Sequence, residues 1–127
     1  DDTIPESTEG SDIIAVAITP KSATNVLLVE AEILSSSNRL RVSAIFKDSD
    51  AFALAASVDY DSTAGTFTSP TRTAHRMLAG TTSAITFKVK MGNDLADAIQ
   101  INGYDGTGTR IFGGAAVSWI KVTEIRP

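Results

Sequence analysis

Residues 110–125 read RIFGGAAVSWIKVTEI, and this stretch decides the predicted fold. A polar, glycine-rich segment, residues 103–109, precedes it, and the pair Gly113 and Gly114 interrupts it. The remainder is rich in β-branched residues, which are typical of strands, and paired glycines allow a bend or a bulge. We therefore predict that residues 110–125 form the closing strand of an all-β domain.

Both faces of this closing strand carry apolar side chains. Because side chains alternate along a strand, Ile120 and Val122 face one way, whereas Trp119 and Ile125 face the other. A strand that is apolar on both faces needs cover on both. We therefore predict core or subunit contacts for Trp119, Ile120 and Val122.

Two further stretches alternate clearly between apolar and polar residues. Residues 26–34 place Leu27, Val29, Ala31 and Ile33 on one face, and residues 83–92 do the same with Ile85, Phe87, Val89 and Met91. A period of two is the pattern of a half-buried strand. Both stretches are predicted strands with these faces in the core.

Residues 39–48 alternate as well, with an apolar face of Leu40, Val42, Ala44 and Phe46. Only a short serine-rich loop separates them from residues 26–34, and such spacing is typical of a β-hairpin. We predict that hairpin, with Glu30 and Glu32 opposite Arg39 and Arg41.

The rest of the chain fits the same architecture. Residues 12–19 form a predicted first strand that is apolar and buried on both sides, and Ile99 to Asn102 form a brief late one. About eight short strands at roughly ten-residue spacing, with no long helix, predict an antiparallel β-sandwich or barrel. Residues 1–11 read as an extended arm, with Ile4 as its apolar contact to a neighbouring surface, and residues 12–127 as the domain.

Composition excludes several classes of function. The formal net charge of −4 argues against nucleic-acid binding, which needs clustered Lys and Arg. The chain has no cysteine, so disulfides and thiolate metal sites are excluded. No apolar run approaches the ~20 residues of a membrane-spanning helix, which predicts no membrane insertion. The chain begins with Asp1, which predicts a piece of a longer protein.

Several segments together resemble a β-sandwich module found near the end of tail-fibre and tail-spike proteins of tailed bacteriophages and prophages. They follow the expected order over nearly the whole length: DTIPESTEG (2–10), ITPKSATNVLLVEAEI (18–33), FKDSDAFALAA (46–56), LAGTTSAITFKVKMG (78–92), and the closing elements ING, RIFGG and IKVTEI. The chain departs from the module at Trp119 and Lys121, where smaller polar residues are more usual.

The resemblance implies a jelly-roll-like sandwich that assembles as a homotrimer with the rest of a fibre or spike. It also implies an extracellular place on the virion, where the domain caps and trimerises the fibre and attaches to a host glycan or protein. The family supplies no catalytic or ligand-contact residues to carry over. The leading hypothesis is therefore a non-enzymatic structural and host-attachment domain.

Candidate catalytic residues are few. His75 is the only histidine, and no G-x-S-x-G nucleophile motif accompanies it, so a structural role is favoured. The carboxylate pairs Asp48/Asp50 and Asp59/Asp61 would suit glycoside hydrolysis if they were held at the right separation. Acidic turns next to strands are common, and a glycosidase is the least favoured alternative.

Carboxylates on loops also suit Ca²⁺, a cation that prefers oxygen ligands. Asp48 to Asp50 and Asp105 to Thr107 are the two candidate loops, although both are too short for an EF-hand. No cofactor is predicted beyond this possible calcium ion.

Aromatic side chains are the usual platforms for sugars. Tyr60 and Tyr104 are the candidate ligand-binding residues, since Tyr104 lies beside the glycine-rich segment and Tyr60 precedes a loop. They support an alternative function, a carbohydrate-binding module with a glycan site at its loop end.

Overall fold

The computed structural model describes residues 3–60, 68–95, 98–104 and 110–127. Within these residues the fold is all-β, as predicted, with eight strands and one four-residue 3₁₀ turn, Ile111–Gly114. None of the described helical structure is long or apolar enough to cross a membrane. The strands are β1 Ser11–Ile18, β2 Val26–Ser36, β3 Leu40–Lys47, β4 Ala55–Tyr60, β5 Ser69–Leu78, β6 Ile85–Asn93, β7 Gln100–Ile101 and β8 Trp119–Ile125.

The strands form two antiparallel sheets. The first sheet has the order β1-β6-β3-β4. In the second sheet, β2 pairs with β5 along one edge, and with β8 and then β7 along the other. Of the described strands that follow each other in the chain, only β3 and β4 pair, so the connections mostly cross between sheets, as they do in a jelly roll.

The core lies between the sheets and uses the predicted alternation of β2 and β6. The side chains of one face of each strand are buried: Leu27, Val29, Ala31 and Ile33 from β2, and Ile85, Phe87, Val89 and Met91 from β6. Both strands are central in their sheets, so each covered face loses nearly all contact with water. Packing of β2 against β6 is therefore the centre of the sandwich.

The predicted hairpin of β2 and β3 is wrong. The two strands belong to different sheets, and the serine-rich segment between them carries the chain across the sandwich. Glu30 pairs with Lys121 of β8 at 3.0 Å, and Glu32 with Arg72 of β5 at 2.7 Å. Alternation identifies a strand but not its neighbour, so a short loop alone did not determine the pairing.

The orientation of β3 is also opposite to the prediction. Arg41, Ser43 and Ile45 face the interior, in register with β6 residues of the core face. The expected core face lies on the outside of the first sheet, yet Phe46 there is only 1% exposed. Its burial requires a further layer over this outer face.

Residues 3–10 supply that layer. The Ser7 N–H donates to the Ala51 carbonyl at 2.8 Å, and the Ala53 N–H donates to the Pro5 carbonyl at 3.0 Å. Gly10 has φ 63°, and a Cβ there would lie 2.6 Å from the Met91 carbonyl oxygen, so only glycine fits this crossing. The arm therefore packs on its own sheet.

The expectation for β1 changes, and the expected contact of Ile4 with a neighbouring surface stays a prediction. Ile4 is exposed in the single chain. β1 is not buried on both sides, because Ala15 and Ala17 are exposed on the outer face of the first sheet. β1 is an edge strand of the first sheet, and no other described element covers Ala15 and Ala17 there.

The closing stretch is divided into two elements rather than one strand. The 3₁₀ turn Ile111–Gly114 comes first, and Gly113 and Gly114 adopt φ values of 65° and 94°. β8 then begins at Trp119 with the predicted alternation: Ile120 and Val122 lie opposite the buried Ala31 and Val29. The glycine pair thus turns the chain instead of bending a continuous strand.

Candidate functional site

At one side of the sandwich, β1 of the first sheet and β8 of the second approach each other without pairing. Five branched aliphatic residues face the interior there: Ile14, Val16 and Ile18 of β1, and Ile120 and Val122 of β8. All five are only partly buried, whereas their register partners one strand further in are almost completely buried. We call these five residues the open side, because all five stay partly exposed at the border of the core.

The opposite side of the sandwich is closed by polar contacts between the sheets. The hydroxyls of Ser57 on β4 and Thr73 on β5 are hydrogen-bonded to each other, and the Ser69 hydroxyl donates to Asp59. The Thr73 hydroxyl also donates to the Ser43 carbonyl at 3.3 Å. The two sides therefore differ in kind: one is joined by hydrogen bonds, and the other presents aliphatic side chains.

The open side is also where two sheet edges meet. Among the described residues β1 pairs only with β6, and β8 only with β2, so each has one unpaired backbone edge. Exposed edges with apolar side chains promote association with other chains. Further partly buried aliphatic residues border this region: Ile13, Ile99 and Ile101.

β8 is held firmly at both ends. Near its end, the Glu124 carboxylate accepts a hydrogen bond from the Asn25 side chain at 2.7 Å, which lowers the pKa of Glu124. Before its start, the Asn102 side-chain oxygen accepts from both the N–H and the hydroxyl of Ser118, each at 2.7 Å. The open side is thus a preformed surface, since its outer strand is fixed in position.

A buried arginine lies toward the closed side. Arg41 is 0% exposed, and its guanidinium donates to the Ser35 carbonyl and the Ser69 hydroxyl, both at 2.6 Å, and pairs with Asp59. Its Nε and the buried hydroxyls of Ser35, Ser37 and Thr71 have no hydrogen-bond partner among the described residues. The sequence interpretation missed this cluster. An arginine in a strand next to serine-rich and threonine-rich segments could have indicated a buried polar cluster.

The pKa of Asp59 is lowered from its ordinary value of 3.8, chiefly by the hydrogen bond from Ser69 and then by the charge of Arg41, against the effect of burial. A carboxyl with a lowered folded-state pKa contributes stability above its unfolded pKa and loses it as pH falls through the folded pKa. We therefore expect the free energy of unfolding to drop on acidification below about pH 4.

Urea unfolding of the wild type and of Asp59→Asn at pH 7, 4 and 3 measures this effect. Asparagine cannot titrate, so the difference in stability between the two proteins is expected to shrink on going from pH 7 to pH 3. A constant difference across the series would exclude Asp59 as a source of the acid sensitivity.

The structure does not bring the predicted ligand-binding residues into one site. Tyr60 is exposed at the end of β4, opposite Leu40, and Tyr104 is exposed after β7. Trp119 is partly buried on the outer face of the second sheet, opposite Glu32. Ile120 and Val122 pack against the core and belong to the open side. Ligand binding by the two tyrosines stays a prediction.

The candidate catalytic and metal residues have other partners where they are described. His75 is partly buried opposite Val29, and Asp48 and Asp50 form ion pairs with Lys47 at 3.7 and 3.4 Å. Asp61 and the 105–107 loop lie outside the described residues. No three acidic or histidine side chains in the described part of the chain are grouped to hold a metal. Calcium binding stays a prediction.

Comparison with known proteins places the chain in a family. A search of curated proteins finds no significant match. Residues 1–127 match the family described as the Pgp3 C-terminal domain. This family is not a phage-fibre module, so the narrower resemblance to tail fibres and spikes has no support in the match. Because the match covers the full sequence, the chain belongs to the Pgp3 C-terminal domain family.

Proposed function

We propose that this chain is a structural, homotrimer-forming domain, and that the open side is part of its subunit contact. The observation that carries the proposal is the partial exposure of Ile14, Val16 and Ile18 beside Ile120 and Val122. A contiguous aliphatic surface that stays partly exposed is typical of a site that another protein covers. A second copy would complete their burial.

The outer face of the second sheet provides a contrast. There the pairs Lys121–Glu30 and Arg72–Glu32 cross between strands, with Lys121 and Arg72 largely in water. A face with paired charges is adapted to solvent and gains little from being covered. The open side is aliphatic instead, which favours it as the contact surface.

Membership of the family favours three copies. Trimer formation is known for the Pgp3 C-terminal domain family, and a homotrimer is compatible with it. Most homotrimers are cyclic, and in a ring each subunit offers two different patches to its neighbours. The open side supplies one such patch.

A matched pair of lysine substitutions on β8 tests the proposal. Val122→Lys places a charge on the open side, whereas Thr123→Lys, one residue further, places it on the exposed outer face. We expect wild type and Thr123→Lys to have three times the chain mass in light scattering at micromolar concentration. Val122→Lys is expected to shift toward folded monomer, because a desolvated ammonium would be left unpaired. Circular dichroism of each variant reports whether the sandwich is retained.

The result that would overturn the proposal is a wild type that remains monomeric in the same measurement. Equal assembly of all three proteins would instead show that the trimer forms through another surface. In that case the protein would be a homotrimer, but the open side would not be part of its subunit contact.

Host attachment, a place on the virion and a non-enzymatic role remain predictions. The Pgp3 family match does not support a tail-fibre or tail-spike context. A carbohydrate-binding role for Tyr60 and Tyr104 is tested by a glycan array on the purified protein, with Tyr60→Ala and Tyr104→Ala as variants. Loss of a bound glycan in either variant would support the carbohydrate-binding alternative.

A further inference from the structure

The most exposed large apolar side chain among the described residues is Phe112, at 83% exposure. It lies in the 3₁₀ turn before β8 and adopts left-handed backbone angles, φ 50° and ψ 41°. This conformation is unfavourable for a bulky residue and persists only where the surrounding structure enforces it. Both properties are unusual for a residue without a role.

The base of the turn enforces this conformation. Ile111 is buried, and its N–H donates to the Asn102 carbonyl at 3.2 Å. Asn102 is itself left-handed, with φ 57°, and its side chain holds Ser118 on the other side of the turn. Phe112 is therefore presented to solvent by a hydrogen-bonded support.

Arg110 lies immediately before the 3₁₀ turn, two residues before Phe112. Its side chain packs over Gly114, where an added Cβ would lie 3.3 Å from the guanidinium carbon. Arg110 is exposed and makes no ion pair with a described residue. The turn thus offers a cation and an aromatic ring together, and we call it the Arg110–Phe112 projection.

A cleft of complementary character lies between residues 3–10 and the outer face of the first sheet. Its volume is about 320 Å³, larger than a phenyl ring. Its apolar floor comes from β3, and its rim carries three carboxylates that make no ion pair with a described residue. The accessible floor is Leu40 and Val42, since Ala44 and Phe46 further along β3 are almost completely buried, and the acidic rim is Glu6, Glu9 and Asp94.

The positive charge at this cleft is already neutralised. Lys90 also lines it, but its ammonium lies 3.0 Å from the Asp12 carboxylate, which in turn lies 3.7 Å from Lys88. The net charge of the rim is therefore negative. An apolar floor under an acidic rim fits a ligand that combines an aromatic ring with a cation.

The projection and the cleft lie at the same end of the sandwich. The projection follows β7, which pairs with Ser35 and Ser36 at the end of β2. The cleft lies where β6 ends beside the start of β3, and residues 91–93 of β6 pair there with residues 41–43. Phe112 remains exposed in its own chain, so it does not fill its own cleft.

We infer that the Arg110–Phe112 projection of one protomer docks into the cleft of the next. The inference rests on the proposed homotrimer and names its contact residues: Phe112 on the apolar floor, and Arg110 on the acidic rim. A ring of identical subunits requires two different, complementary patches on every chain. The projection adjoins the open side through β7 and β8, so the two surfaces form one continuous contact.

Two alanine variants give the first test. Phe112→Ala is expected to weaken assembly at least about tenfold in sedimentation equilibrium, as is usual for an aromatic residue at the centre of a contact. Leu78→Ala is the control, since Leu78 is also exposed but lies at the far end of β5. Its assembly constant is expected to equal that of the wild type.

Disulfide trapping gives the second test, and the cysteine-free chain makes it unambiguous. In Phe112→Cys/Val42→Cys, docking brings the two new thiols of different protomers together. Mild oxidation is then expected to yield a covalent trimer on a non-reducing gel. The control Phe112→Cys/Leu78→Cys is expected to yield no such product.

The outcomes separate this inference from the proposed function. A monomeric wild type overturns both. A trimeric wild type whose assembly is unaffected by Phe112→Ala, with no trapped product, overturns only the docking of the projection. Weaker assembly without a trapped product also overturns it, because Phe112 would then contact a surface other than the cleft. Weaker assembly together with the covalent trimer supports it.

Discussion

Asp59→Ala is expected to lower the free energy of unfolding by about 3 kcal/mol, the low end of the range for breaking a buried ion pair. Arg41 is fully buried, so removal of its carboxylate partner leaves a positive charge inside the sandwich. The low end applies because a third of the Asp59 side chain is in contact with water. Urea denaturation at pH 7 measures the change.

Two further variants separate the charge from the packing. The double variant Arg41→Met/Asp59→Ala removes both charges, and it is expected to be more stable than Asp59→Ala alone. Asp12→Ala removes an exposed partner of Lys88 and Lys90, with a loss of at most about 1 kcal/mol. If Asp59→Ala and Asp12→Ala had the same effect, Arg41 would not depend on Asp59 for compensation.

Phe46→Ala is expected to be comparably severe, at about 3–5 kcal/mol, although Phe46 faces away from the core between the sheets. Phe46 is 1% exposed beneath the N-terminal arm, so truncation removes a complete buried ring. Phe52→Ala is the matched control. Phe52 lies close to the same arm but is 54% exposed, and little stability should be lost with it.

The comparison of these two phenylalanines in thermal and urea unfolding tests whether residues 3–10 form part of the folded domain. A small loss in Phe46→Ala, similar to that in Phe52→Ala, would mean that the arm leaves the sheet in solution. A large difference would show that the arm acts as a third layer over β3.

Much of the architecture is readable from periodicity. The alternation in residues 26–34 and 83–92 identified β2 and β6, together with the faces that are buried. The same reasoning placed Ile120 and Val122 on one face of the closing strand and Trp119 on the other. These predictions succeed because each strand has one strongly apolar face, and burial of that face dominates its orientation.

β3 shows where periodicity fails. Its alternation is as regular as that of β2, but the apolar face turned outward and Arg41 turned inward. One face of β3 is covered by the second sheet, and the other is covered at Ala44 and Phe46 by the arm. Because either face of β3 can be buried, alternation alone could not determine which face points toward the core between the sheets.

The candidate site was predictable only in part. Apolar character on both faces of residues 119–125 indicated that a contact was needed, and this is the strand that borders the open side. The same character of residues 12–19 indicated a strand that needs cover, but the sequence did not show that this strand, β1, lies beside β8. The exposure of Phe112 could not be predicted either, because residues 110–125 were interpreted as one strand.

The sequence by itself determined that this protein is an all-β sandwich without disulfides, and it determined which face of β2 and β6 is buried. The tertiary structure decided which strands are neighbours, that Arg41 and Asp59 meet, and that the aliphatic residues where β1 meets β8 stay partly exposed. The physical reason is the separation in sequence of the residues that interact. Alternation is set by side-chain burial within a strand, whereas pairing, inter-sheet hydrogen bonds and uncovered edges depend on residues far apart in the chain.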